Sequence, residues 1–235
     1  ISQWGYHTLA EDLTFNNGRF FSDDGHNTLS GQITLNGEGT FDVQWGNKTL
    51  ELAGQVTGGG DLRKVGHGTL IVSNGANDYT GQTIVDTGTL HITDEGALGS
   101  TAGATTVNAG TTLSMRVSQW GSHTLAEDIT FNNARFLNED GYNTLSGLIT
   151  LNGQADFDVR WGNKTLTITG QVTGGGELLK TDAGTLILTN TANNYGRTKI
   201  DGGTLQLGAA NVLPDNDLHN NWGGGGTLDL NGFSD

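Results

Sequence analysis

The chain has 235 residues, 25 of them acidic against 11 basic, a formal charge of −14, 39 glycines, a single proline and no cysteine. So acidic a surface repels the phosphates of nucleic acid and heparin-like polyanions, and without cysteine neither a disulfide framework nor a thiolate metal site can form. No stretch approaches the roughly 18–20 apolar residues of a membrane span, so this segment is not expected to be membrane-embedded.

In chain order, the apolar residues fall into short alternating runs. Gln32-Ile33-Thr34-Leu35-Asn36 comes first, then Phe41-Asp42-Val43-Gln44-Trp45, and later Thr165-Leu166-Thr167-Ile168 and Thr227-Leu228-Asp229-Leu230. Period-two alternation of β-branched, leucine and aromatic residues predicts strands with one buried face. Asn-Gly, Asp-Gly, Gly-Gly and Asn-Asn pairs punctuate the runs and supply the positive-φ residues of tight turns. No amphipathic helix is predicted. The chain opens mid-pattern at Ile1, with neither Met nor signal peptide, and reads as a fragment cut from something longer.

The chain is also written twice. Residues 1–60 reappear as 117–176, an offset of 117 − 1 = 116: Ser2-Gln3-Trp4-Gly5 returns as Ser118-Gln119-Trp120-Gly121, and Trp45-Gly46-Asn47-Lys48 as Trp161-Gly162-Asn163-Lys164. Strands every ~8–12 residues fit a sandwich or a solenoid. Three features favour the solenoid: Gly, Asn and Asp turns with almost no Pro, no linker between the copies, and a recurring Gly-Thr-Leu unit. That unit stands at Gly68 and Gly88, then at Gly184 and Gly203, with 88 − 68 = 20 and 203 − 184 = 19, about one coil. The expected fold is all-β, a right-handed parallel β-helix (β-solenoid), its hand following the crossover rule for parallel strands. Residues 1–116 and 117–235 would be two copies within one continuous β-helix.

Gly60-Asp61-Leu62-Arg63-Lys64 through Gly68-Thr69-Leu70, followed by Asn77-Asp78-Tyr79-Thr80-Gly81, resembles the passenger-associated repeat of bacterial autotransporters. The second copy runs from Gly176-Glu177-Leu178-Leu179-Lys180 through Gly184-Thr185-Leu186 to Asn193-Asn194-Tyr195-Gly196, with Asp182 in the place of Gly66. The resemblance covers about 30 residues per copy and leaves the intervening blocks of ~60 residues unmatched. It implies a parallel β-helix secreted across the outer membrane of a Gram-negative bacterium and displayed as adhesin, aggregation factor or stalk.

Few residues suggest chemistry. Trp45 and Trp161 share phase with Phe41 and Val43, and with Phe157 and Val159, which assigns them to the buried side. Trp4 and Trp120 precede glycines at corners, where an exposed ring could stack on a sugar or partner. Asp23 and Asp24 in the first copy, and Glu139 and Asp140 in the second, gather carboxylates around a Gly turn. Their spacing fits no Ca²⁺ loop, so they read as solvated Asp-Gly turns and no metal site is expected. Arg19 and Arg135 recur in a chain poor in cations, either in intramolecular ion pairs or in contact with acidic loops of a neighbouring molecule. Asp42 and Asp158 point outward and lie too far apart to act together, no Gly-x-Ser-x-Gly motif occurs, and the histidines lack metal-ligand spacing; no enzyme and no cofactor are expected.

The expected function is cell–cell or cell–surface adhesion by lateral association of β-helical rods. The partner is another copy of the chain on a neighbouring cell, or a host or surface ligand, and not nucleic acid. Two other readings remain open: a passive stalk projecting a distal domain, and a carbohydrate-binding module using Trp4 or Trp120.

Overall fold

The computed structural model describes residues 5–118, 120–215, 218–220 and 225–234. Contacts divide the chain into two compact units, Ile1–Ser114 and Met115–Asp235. Each unit is a parallel β-solenoid whose coils present three sheet faces, and among the described residues there is no helix.

In the first unit, the first face stacks Tyr6–Leu9, His26–Leu29, Thr49–Leu52, Thr69–Val72 and Thr89–Ile92. Leu29, Leu52, Val72 and Ile92 therefore stand above one another and point inward, and all are buried. The second face is short: Leu13–Phe15, Ile33–Leu35 and Val56–Gly58. The third runs through Gly18–Ser22, Gly39–Val43, Leu62–Val65, Thr83–Val85 and Thr105–Val107. The second unit repeats this plan, with Tyr142–Leu145, Thr165–Ile168, Thr185–Leu188 and Thr204–Leu207 on its first face. Ile129–Phe131, Ile149–Leu151 and Val172–Thr173 form its second face, and Ala134–Asn138, Ala155–Val159, Glu177–Thr181 and Arg197–Ile200 its third.

Identical side chains meet because the repeat length equals the coil. Each buried Leu or Ile contributes roughly 1.5–3 kcal/mol of transfer free energy, and the stack multiplies that term without a conventional globular core. Phenylalanines thicken it: Phe15 lies 5.1 Å from Phe41, and Phe157 lies 5.6 Å from Phe131 and 6.4 Å from Phe136.

Corners explain the glycine content. Where the first face turns into the second, a Cβ on Gly54 would collide with the Gly31 carbonyl, and one on Gly170 with that of Gly147. Backbone lies directly on backbone there, so a side chain has no room. Asp182 adopts φ 59° where its counterpart Gly66 has φ 78°, so the left-handed turn survives the substitution noted in the sequence.

The Leu-x-Lys coils depart from the three-face plan. Between Ser73 and Gln82, and again between Thr189 and Gly196, the chain passes the second face without a strand of its own. Asn77 and Tyr79 fill that place in the first unit, and Asn193 and Tyr195 in the second.

Candidate functional site

On the outer side of the third face, charges pair from coil to coil. Arg19 is bonded to Asp42, and Arg135 to Asp158 with Asp156 3.9 Å from its Nε. Arg63 Nε donates to Glu38 at 2.7 Å, and Arg63 also binds Asp86. The Arg63 bond holds the Glu38 carboxyl below the usual carboxylate range, against a smaller opposing effect of burial. Burial raises the pKa of Asp156, although Thr181 donates to it. Asp42 and Asp158 do point away from the coil interior, yet they are only 3% and 2% exposed, covered by their arginine partners. Both arginines are thus held within the chain.

The acidic loops sit at the corner between the third and first faces, each built as a closed turn. Asp24 Oδ1 accepts from the Gly25 amide at 2.7 Å, and Asn27 Nδ2 donates to the Asp24 carbonyl at 2.8 Å. Asp140, Gly141 and Asn143 repeat this at 2.9 and 2.8 Å. The next coil supplies a lysine to each loop, Lys48 to Asp24 and Lys164 to Asp140. The Lys48 hydrogen bond lowers the pKa of Asp24. Around Asp140 burial opposes ionisation, but the Lys164 and Gly141 bonds and the charges of Lys164 and Arg116 outweigh it and lower the pKa. Among the described residues no three His, Asp or Glu side chains converge as metal ligands.

The tryptophans at this corner overturn one expectation. Trp45 and Trp161 are 56% and 55% exposed rather than buried. The strands end at Val43 and Val159, and the chain then enters a turn closed by Lys48 N to Trp45 O and Lys164 N to Trp161 O, both 2.9 Å. Strand alternation therefore stops two residues before each ring. Trp45 Nε1 donates to Asp23 at 3.3 Å. Trp120 is 74% exposed, with Lys164 Nζ 4.4 Å from its ring centre and 5.3 Å from that of Tyr142. Trp4 lies outside the described residues.

On the outer side of the second face the strands present threonine, with exposed Asp12 and Asp128 at its edge, bonded to the amides of Gln32 and Leu148, and exposed Asp78 in the coil beyond Val56. Thr14, Thr34 and Thr57 form one register row in the first unit, and Thr130, Thr150 and Thr173 the matching row in the second. Amide ladders flank them: Asn36 Nδ2 donates to Asn16 at 3.1 Å, Asn152 to Asn132 at 2.9 Å, and Gln55 to the Ala76 carbonyl at 2.8 Å. The alternating threonines were legible as strands, but which of them share a face emerges only from the register.

Polar residues of the Leu-x-Lys coils face inward instead. Lys64 occupies a core position, in register with Phe41 and Val85, and is fully buried. Its Nζ donates to the carbonyls of Val65 and Gly66 at 2.7 Å and of Thr87, one coil on, at 3.0 Å. Lys180 repeats this with the carbonyls of Thr181, Asp182 and Gly202. Burial pushes the two pKa values down to about 7 and about 8. The three carbonyls pull the other way, because only the ammonium has three N–H to give. Asn77 ties three coils together, accepting from Val56 N at 2.8 Å and donating to the Ala97 carbonyl at 2.8 Å. The buried Tyr79 and Tyr195 hydroxyls bond to Thr83 and Thr198.

The family match falls on these inward-facing coils. Residues 62–92 and 178–207 match the passenger-associated-transport-repeat family. The chain is 34% identical over 208 residues, 83% of its length, to the adhesin BmaC autotransporter of Brucella suis biovar 1 (strain 1330), and spans 5% of that relative. No solved structure matches. Two transport repeats set in a parallel β-solenoid, together with that relative, support an autotransporter passenger, secreted to the Gram-negative cell surface.

Proposed function

We propose that this chain is an adhesive, non-enzymatic part of its passenger, and that it joins cells by lateral association of its second faces. The observation that carries this reading is the uncharged Thr14–Thr34–Thr57 row with its amide ladders, repeated as Thr130–Thr150–Thr173. Two copies that each carry a charge of −14 repel one another, so close approach favours a strand row without charge, such as these threonines. The third face has spent its arginines on its own aspartates, and the first face carries Glu51 among its threonines. A single hydrogen bond across such a contact contributes about 0.5–1.5 kcal/mol net. Ladders of them, multiplied over many molecules on two cells, reach useful strength by avidity. The Brucella relative is named an adhesin, which agrees with this assignment.

Settling of bacteria that display the passenger tests the reading. Thr34→Asp combined with Thr150→Asp places charges on both second faces and should slow settling about tenfold or more. Thr69→Asp, on the first face, should leave it unchanged. Equal settling by all three strains refutes the assignment and favours a passive stalk.

A further inference from the structure

The turn that follows each third-face strand carries a chemistry that lateral association does not use. Trp45-Gly46-Asn47-Lys48-Thr49 and Trp161-Gly162-Asn163-Lys164-Thr165 each contain the triplet Asn-x-Thr, and no other asparagine of the chain stands two residues before a serine or threonine. We propose that Asn47 and Asn163 are modification sites, acceptors of N-linked sugar, with the tryptophan of each turn packing against the first sugar ring.

An Asn-x-Thr triplet is common by chance and gains meaning from its place in the fold. The Lys48 amide donates to the Trp45 carbonyl and the Lys164 amide to the Trp161 carbonyl, both at 2.9 Å, which puts Asn47 and Asn163 at the tips of closed turns. Both asparagines are exposed. Among the described residues neither side-chain amide makes a hydrogen bond, whereas Asn36 and Asn77 are tied to neighbouring coils.

The two copies supply a second observation. Gln44 becomes Arg160 and Glu51 becomes Thr167 on either side of the turn, yet its five residues are unchanged. Lys48 and Lys164 are accounted for by their aspartates. The other four are not. Trp45 and Trp161 are 56% and 55% exposed. A Cβ on Gly46 or Gly162 would meet nothing nearer than 3.6 Å, and neither has a positive φ, so the backbone does not demand glycine there. Thr49 Oγ1 bonds to His26 Nδ1 at 2.9 Å, but Tyr142 stands opposite Thr165 and the threonine persists without that histidine. A sugar on the asparagine accounts for all four residues. Threonine completes the triplet, glycine leaves the gap between amide and ring open, and the indole offers an apolar face to the C–H groups of the sugar. In the first unit Trp45 and Asn47 border one cavity, so ring and amide face a common space.

The step joins Asn Nδ2 to the anomeric carbon of a sugar delivered as a glycosyl diphosphate by a transferase of the bacterium. The N–C bond forms as the C–O bond to the diphosphate breaks. The diphosphate leaves with that electron pair, a base of the transferase takes one Nδ2 proton, and nothing is oxidised or reduced. Thr49 and Thr165 open the strands Thr49–Leu52 and Thr165–Ile168, so the triplet is read before the coil closes, and the exposed tip then leaves room for the product. The sugars stand at the corner between the third and first faces, not on the threonine rows of the second.

Peptide mapping by mass spectrometry tests the proposal on the passenger released from the surface of the bacterium that encodes it. The expected result is a mass gain of one or more hexose or N-acetylhexosamine residues on the peptides that hold Asn47 and Asn163, lost in the Asn47→Gln, Asn163→Gln variant. Thr49→Ala should remove the gain from Asn47 alone, and Thr49→Ser should keep it. The modified chain should melt a few degrees above the Asn47→Gln, Asn163→Gln variant, and in a Trp45→Ala, Trp161→Ala background that difference should vanish while the sugars remain. Unmodified Asn47 and Asn163 peptides overturn the proposal, as does sugar on Asn47 that survives Thr49→Ala. A melt difference unchanged by the tryptophan substitutions overturns the role given to the rings.

Discussion

Within each unit, two kinds of coil use the same amino acids in opposite ways. In the transport-repeat coils, asparagine, lysine and threonine are turned inward: Asn77 is 7% exposed, Lys64 0% and Thr83 1%. On the second face of the preceding block asparagine and threonine stand outside, as the Asn16–Asn36 ladder and the Thr14–Thr34–Thr57 row, although at the corner of the second unit Asn138, Asn143 and Lys164 are buried. A buried amide that bonds two other coils holds the stack together, whereas an exposed amide ladder gives the surface its character and adds little to stability. The difference teaches a division of labour. The transport repeats hold coil to coil, and in the proposed function the blocks between them supply the associating surface.

The sharpest way to break that comparison is a matched pair of asparagines. Asn77→Ala strands the buried Val56 amide and Ala97 carbonyl and should cost about 2–4 kcal/mol, read as an earlier denaturant transition. Asn36→Ala, in the exposed ladder, should cost less than about 0.5 kcal/mol. Equal effects would erase the distinction. Arg135→Ala comes next: it leaves Asp158, 2% exposed, without its partner, yet the arginine is itself 40% exposed in its side chain, which screens the pair. A loss of about 1–2 kcal/mol is expected, below that of a fully buried pair.

A subtler effect concerns pH and the buried lysine. Lys64 has a pKa of about 7 when folded, against an unfolded value near 10.5, so between these values the unfolded chain binds more protons. Its contribution therefore favours folding increasingly as pH rises from about 7 to about 10.5, and the full cost of the buried charge is present below that window. Stability against pH, compared between the wild-type chain and Lys64→Met, should show a rising slope in that window that the variant lacks. Identical slopes would mean that the three carbonyls fully offset burial.

The sequence made most of the fold legible, because a solenoid writes its coil length as a repeat. The Gly-Thr-Leu spacing and the alternating runs correspond to first-face strands paired in register, Leu70 beside Leu90 and Leu186 beside Leu205. The site was less legible, for local reasons. Alternation gave the phase of Trp45 and Trp161 only as far as the strand extended, and the turns at Trp45–Lys48 and Trp161–Lys164 lie beyond it. Lysine in a core slot contradicts every hydropathy pattern, and the sole hint was its recurrence in Leu-x-Lys. The acidic loops do form Asp-Gly turns, whose capping bonds are local, from the Gly25 amide and from Asn27 Nδ2 to Asp24, but Asp140 is 5% exposed rather than solvated because Lys164 packs over it. Which threonines share a row on the second face depends on coil-to-coil register, a long-range property that no short window contains.

Sedimentation velocity of the purified chain over a wide concentration range, at low and at high salt, tests the association of second faces most directly. The account predicts concentration-dependent dimers that persist or strengthen as salt screens the charge of −14, and that disappear in the Thr34→Asp, Thr150→Asp variant. A monomer at every concentration and salt, or dimers that dissolve in salt and survive that variant, would contradict it.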